Sequence, residues 1–187
     1  MKVINWDDFQ KTEPSIGSFI KKTSMTVGIF DGVHRGHQVL LERIIHYNTN
    51  YLPSVITFKQ NQKTISGGQK DIQTFEQRLN TFEKIGIKNT IVVDFTESFK
   101  QKSGIEFLEI LLKYGNIGFF AAGNDFRCGH SLDTDASAIK NFFNSRDIPV
   151  EILPNVMEGQ QPVSSSRIRK AIAEKDTLLA KTMLGNL

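Results

Sequence analysis

MTVGIFDGVHRGH, residues 25–37, passes from an apolar, β-branched segment through a glycine-punctuated turn into a helical pattern. Residues 25–30 read as a buried strand, since apolar side chains cluster there and turn residues follow at once. Val39, Leu40, Leu41, Ile44 and Ile45 then share one broad helical face. A strand that feeds a helix through so short a turn predicts a βαβ unit, and with it a parallel sheet.

The same alternation runs through the rest of the chain. Residues 52–58 (LPSVITF) read as the next strand, residues 65–71 with Gly67 and Gly68 as a loop, and Phe75, Leu79, Phe82 and Ile85 as a helix stopped at Gly86. A third strand is expected at 90–95. Ser103 and Glu106 form a capping-box pattern at the head of a helix that continues through Phe107, Leu108, Leu111 and Leu112. Strands at 117–122 and 150–153 flank a helix at 136–143. Two helices at 165–173 and 177–184 close the chain, and residues 3–6 add an edge strand. Strand, helix, strand, helix with short links predicts an α/β fold, a doubly wound parallel sheet with helices on both faces. Ligands of such sheets lie beyond the carboxyl ends of the strands, and the unusual motifs here follow predicted strands.

Three motifs carry chemistry. In the first, His34 and His37 stand three residues apart at a helix start, where free backbone N–H groups and the positive dipole end favour an anion. Gly32 and Gly36 remove side chains where the backbone turns and a nucleotide approaches. This is polyphosphate chemistry, although a His-x-x-His pair alone also fits local packing. In the second, Ser164, Ser165 and Ser166 lead into a helix carrying Arg167 and Arg169, a further set of anion donors. Arg169 is expected to be an exposed helical arginine that contributes little to folding. Arg167 is expected to point about 200° away around the helix. In the third, Asn124 and Asp125 offer hydrogen bonds to ribose or base and Phe126 a ring to pack on, or the segment is a plain polar turn. Cys128 and His130 match no common zinc spacing, so no metal site is expected. The chain has no Gly-x-x-x-x-Gly-Lys-Ser/Thr loop and no Gly-x-Ser-x-Gly elbow, which excludes a P-loop kinase and fits direct in-line transfer.

Composition bounds the partners. Lys plus Arg number 23 against 20 Asp plus Glu, a net +3 that suits phosphate ligands and shows no basic stripe with interleaved aromatics, so no nucleic-acid partner is expected. Hydrophobic residues at 39 % and charged residues at 23 % are ordinary for a globular chain with a core. The single cysteine, the acidic residues near the N-terminus and the absence of a long apolar run predict a cytoplasmic protein with no membrane segment. No feature sets an oligomeric state.

GIFDGVHRGHQVLL is similar to the nucleotide-binding signature of bacterial FAD synthetases, within the His-x-Gly-His nucleotidyltransferases. GNDFRCG resembles that family's second motif and PVSSSRIRKAI its third. The helix end at Leu184 and Gly185 resembles the hinge that follows, and VITF and FEQRLNTFEKIGIKNTIVVDF also follow the pattern. The resemblance covers roughly the whole chain from the first strand, and one nucleotidyltransferase domain over 1–187 is expected. It implies a Rossmann-like fold, ATP and FMN as substrates, FAD and pyrophosphate as products, and Mg2+ accompanying ATP. His34, His37 and Arg169 would be catalytic. ATP would be bound by Gly28, Ile29, Phe30, Asp31, Gly36, His37, Asn124, Ser164, Ser165, Ser166 and Arg169, with Ser165 and Arg169 on the β and γ phosphates. FMN would meet Asp125, Phe126 and Phe58.

Two departures stand out. Where the family has an acidic residue and a Pro-His-Pro-like run, this chain has Lys59, Gln60, Asn61 and Gln62. The sequence ends at Leu187 without the usual riboflavin kinase domain. Three readings remain at this point: an FMN adenylyltransferase, a relative acting on another phosphorylated acceptor (phosphopantetheine, or a nicotinate or choline-type phosphate), and a flavin- or nucleotide-binding regulator without turnover.

Overall fold

Six parallel strands in the order β1-β4-β3-β2-β5-β8 form the centre of the protein, in a computed structural model that describes residues 1–11, 21–59 and 70–185. They are β1 (Lys2–Asn5), β2 (Thr23–Val27), β3 (Leu52–Phe58), β4 (Asn89–Val93), β5 (Ile117–Gly123) and β8 (Val150–Leu153). The parallel pairing follows from the connections, because helical crossovers bring the chain back to the same end of the sheet before β3, β4, β5 and β8. From β2 the chain first builds outward through β3 and β4, then crosses back to place β5 on the other side of β2. The carboxyl ends of β2 and β5 therefore form the switch point where a crevice opens.

Strand alternation supplies two apolar faces. Met25, Val27, Ile56, Ile91, Val93, Phe120 and Ala122 point into one layer, filled by α1 (Trp6–Phe9), α5 (Gly104–Tyr114) and α6 (Ala136–Asn144). Val55, Phe119 and Ala121 point into the other, filled by Leu40, Leu41 and Ile44 of α2 (Arg35–His46) and Phe82 of α3 (Phe75–Ile85). A third cluster joins α7 (Ser165–Ala173) to α8 (Thr177–Leu184) through Ile168, Ala171, Ala180 and Met183. Thr74 and Ser103 cap α3 and α5 as full capping boxes, and Gly86 ends α3 at φ +102.

Several boundaries differ from the sequence expectation. The first core strand stops at Val27, not at residue 30, because Phe30 takes φ +56 and leaves the ladder. β4 stops at Val93, and Phe95 swings out to stack on Phe58 at 4.5 Å. The edge strand is Lys2–Asn5, and Trp6 heads α1 instead of ending the strand. The short α4 (Glu97–Lys100), the ribbon of β6 (Arg127–Cys128) with β7 (Thr134–Asp135), and that of β9 (Met157–Glu158) with β10 (Gln161–Pro162) were not expected. Two- and four-residue elements carry no periodic signal to read. Gln60, Asn61, Gln62 and most of the 65–71 loop lie outside the described residues.

Candidate nucleotide site

The turn between β2 and α2 is unusually bent. Phe30, Gly32 and Val33 all have positive φ, at 56°, 81° and 36°. Gly32 accepts this freely, whereas Phe30 and Val33 are held there by their surroundings. The Thr57 hydroxyl donates to the Ile29 carbonyl at 3.1 Å, and the Gln38 amide donates to the Val33 carbonyl at 2.8 Å and to Leu184 at 2.6 Å. That last bond ties the end of α8 to the same turn, next to Gly185 at φ +77.

His34 is the N-cap residue of α2, and its ring stacks on His37 with centroids 3.6 Å apart. The first intrahelical bond runs from Gln38 N–H to the His34 carbonyl, so the N–H groups of Arg35, Gly36 and His37 have no acceptor within the helix. His34 is 6 % exposed, and Nδ1 of both rings is buried without a partner among the described residues. Burial lowers the His34 pKa to about 4, against a weaker opposing effect of its own backbone. Burial, then the fields of His34 and Arg78, hold His37 well below the usual imidazole range. Both rings are therefore neutral near pH 7, each with one N–H to donate and no charge of its own.

The serine-arginine motif closes onto this turn. Ser164 caps α7 by accepting from Arg167 N–H at 3.3 Å, Ser165 donates to the Asp31 carbonyl at 2.9 Å, and Ser166 faces the cavity. Arg169 pairs through Nη2 with the Asp31 carboxylate and through Nε with the Lys70 carbonyl at 3.1 Å. Its side chain is 13 % exposed and that of Asp31 3 %, which corrects the expectation of an exposed helical arginine. Asp31, expected at ATP, is engaged by the protein itself. Its Oδ1 also accepts from the N–H groups of Ile72 and Gln73, at 2.9 and 3.3 Å. Arg167 turns away and donates to Gln161 and Pro162 carbonyls at 2.9 and 3.4 Å.

A cavity of about 580 Å³ runs from these groups across the carboxyl ends of β2, β3, β5 and β8. That is the size range of small-molecule sites. Gly28, Ile29, Phe30, Asp31, Gly36, the two histidines, the three serines and Arg169 line one end. Asp125 and Phe126 line it, whereas Asn124 is exposed, outside the lining, with its N–H donating to the Leu153 carbonyl. The far end is aromatic. Phe58 and Phe95 stack nearly parallel, and Phe99 stands edge-on to Phe58, Phe95 and Phe107.

Of this wall only Phe58 and Phe126 were anticipated. Phe95, Phe99 and Phe107 were missed, although Phe58 and Phe95 each end a predicted parallel strand, on the side where such sheets bind ligands. Cys128 also lines the cavity, but burial and Asp133 push its thiol up to about 12, so it is no thiolate. Nδ1 of His130 lies 3.1 Å from the Lys100 carbonyl, away from any shared site with Cys128.

The chain matches the FAD synthetase family model over residues 17–167. It is 27 % identical over 169 residues to the bifunctional riboflavin kinase/FMN adenylyltransferase of Buchnera aphidicola, covering 87 % of this chain and 54 % of that protein. It is 26 % identical over 170 residues to the FAD synthetase of Listeria monocytogenes, covering 87 % of this chain and 68 % of that one. The chain thus spans about half the length of the bifunctional relatives from Buchnera aphidicola and Escherichia coli. Among solved structures, a macrolide-efflux protein from Streptococcus pneumoniae superposes with a TM-score of 0.82 at 25 % identity, over 99 % of this chain and 62 % of that one.

Proposed function

This chain belongs to the FAD synthetase family, and from that premise we propose that it transfers the adenylyl group of ATP to FMN, giving FAD and pyrophosphate. One observation carries the reading: a single cavity joins an anion-binding end, built on two helix N-termini, to a wall of stacked phenylalanines. A triphosphate fits the first end and a flat, apolar ring system the second.

An oxygen of the FMN phosphate attacks the α-phosphorus, the bond from the α-phosphorus to the bridging oxygen breaks, and pyrophosphate leaves with the electron pair. Charge then builds on the leaving oxygens. Neutral imidazole N–H groups of His34 and His37, with the open backbone N–H groups of α2, stabilise it without reorganising. Ser165, Ser166 and Arg169 hold the outer phosphates, Arg169 through donors that Asp31 and Lys70 leave available. Gly28, Ile29 and Phe30 border the nucleotide, while Asp125, Phe126 and Phe58 border the flavin, with Phe95 added to that wall. Asn124 would reach the nucleotide only from outside the present lining.

Magnesium enters as MgATP, bound by the substrate's own phosphates. Among the described residues, no three His, Cys, Asp or Glu side chains gather to hold a resident ion. No helix among the described residues is long and apolar enough to cross a membrane. We place the reaction in the cytoplasm, where a lone half-buried thiol such as Cys128 stays reduced.

The test is to incubate the protein with MgATP and a panel of phosphorylated acceptors and to identify products by mass. FAD should form from FMN far faster than adenylylated product from phosphopantetheine or nicotinate mononucleotide. Faster transfer to either of those would replace the proposed acceptor.

A further inference from the structure

Arg78 lies on α3, outside all three motifs, yet it is 3 % exposed and reaches beneath the phosphate end of the cavity. Its Nη1 donates to the Ile29 carbonyl and its Nη2 to the Phe58 carbonyl at 3.0 Å. Those carbonyls stand just past β2 and at the end of β3, so one guanidinium ties two neighbouring strand ends together. The Ile29 carbonyl belongs to the peptide that enters Phe30, and turning that peptide plane changes the Phe30 φ. At +56° a phenylalanine persists only where its neighbours over-determine it.

One helical turn beyond Arg78, Phe82 meets the Phe30 ring edge-on at 5.5 Å, and Phe30 in turn meets His37 at 5.1 Å. Arg78 and Phe82 are four residues apart, so α3 presents both on one face. The backbone and the ring of the Phe30 segment are thereby fixed from the same helix, and His37 rests on that ring.

We propose that Arg78 is a positioning residue: by gripping the Ile29 and Phe58 carbonyls it locks Phe30 in its left-handed conformation and so sets where His37 stands in the cradle. The proposal rests on the transferase reading for its kinetic consequence, though not for its geometry. The field of Arg78 also opposes protonation of His37, and Asp31 and Asp71 help keep Arg78 charged despite its burial. A lysine here would keep the charge but lose the two-pronged grip, and a methionine would lose both.

The experiment compares wild type, Arg78→Lys and Arg78→Met at one neutral pH, reading imidazole resonances by NMR alongside kcat and KM. The chain has four histidines, and the His37 signal is assigned by its loss in His37→Gln. In Arg78→Met, folded by circular dichroism, the His37 signal should move while those of His46 and His130 stay. Its kcat should fall on the order of a hundredfold, as an ångström of misplacement costs, with KM for ATP changed less than about threefold. Arg78→Lys should fall between the two. A folded Arg78→Met with an unmoved His37 signal or wild-type kcat would overturn the proposal. If Arg78→Met does not fold, Arg78→Lys carries the test: a moved signal with lower kcat supports it, and wild-type values for both overturn it. Should the wild type make no FAD, the functional reading falls, and the resonances still decide the role of Arg78.

Discussion

The Arg169 guanidinium and the Asp31 carboxylate form a largely buried ion pair that joins the first turns of α7 to the loop after β2. Two motifs more than a hundred residues apart in sequence are thus one electrostatic unit. Removing one partner of a buried pair leaves the other charge desolvated, which is strongly destabilising. Arg169→Ala should lower the unfolding free energy by about 3 kcal/mol, the low end of the range for broken buried pairs, because Asp31 keeps two backbone donors. Arg169→Lys should lose less. Urea titration measures both, and adding Asp31→Asn to Arg169→Ala should restore much of the loss. An Arg169→Ala midpoint equal to wild type would show that the pair contributes nothing.

Arg167 supplies the internal control for ATP. Its guanidinium bonds to the Gln161 and Pro162 carbonyls, away from the cavity that Arg169 lines. ATP affinity should drop clearly in Arg169→Ala and hardly in Arg167→Ala, as read by calorimetry. Equal losses would point to a general basic surface in place of a specific cradle.

His34→Ala and His37→Ala should each slow turnover, because their N–H groups act on charge that develops only in the transition state. The loss of one such donor corresponds to about 2.7–4 kcal/mol, or 10²–10³ in kcat. Circular dichroism should show the fold intact. Near-wild-type turnover in either variant contradicts the assigned role.

Stability should fall as the medium is acidified from pH 6.5 towards 4. His34 is neutral when folded down to about 4, whereas in the unfolded chain it titrates near the ordinary imidazole value of 6.5. Between those values the unfolded state binds more protons, so the unfolding free energy rises with pH and is lost on acidification. The lowered pKa of His34 alone amounts to about 3 kcal/mol over that window. His34→Asn should flatten the profile there, and an unchanged slope in that variant would assign the acid loss to other groups.

The sheet was legible because its signals are long and repeated. The apolar strands 52–58 and 150–153 and the helices 165–173 and 177–184 coincide with the observed elements, while β2 and β4 end earlier than read. Strand termini are set by contacts that sequence spacing does not encode, such as the turn at Phe30 and the stacking of Phe95 on Phe58. The end of the cavity that we assign to phosphate was signalled by glycines and histidines at a strand-to-helix junction, a local pattern. The aromatic wall and the Arg169–Asp31 pair were not, since both depend on which distant segments the topology brings together. Arg169 looked exposed because helical periodicity describes a face and says nothing about the loop that covers it.

Adenylyl transfer to FMN can be followed through the fate of each ATP phosphorus. Supplied with FMN, magnesium and ATP labelled in turn at the α and γ positions, the protein should place the α label in FAD and the γ label in pyrophosphate. Riboflavin in place of FMN should not take up the α label, having no phosphate to attack with. Appearance of the γ label in a flavin product, or release of the α label only as free AMP, would contradict the account.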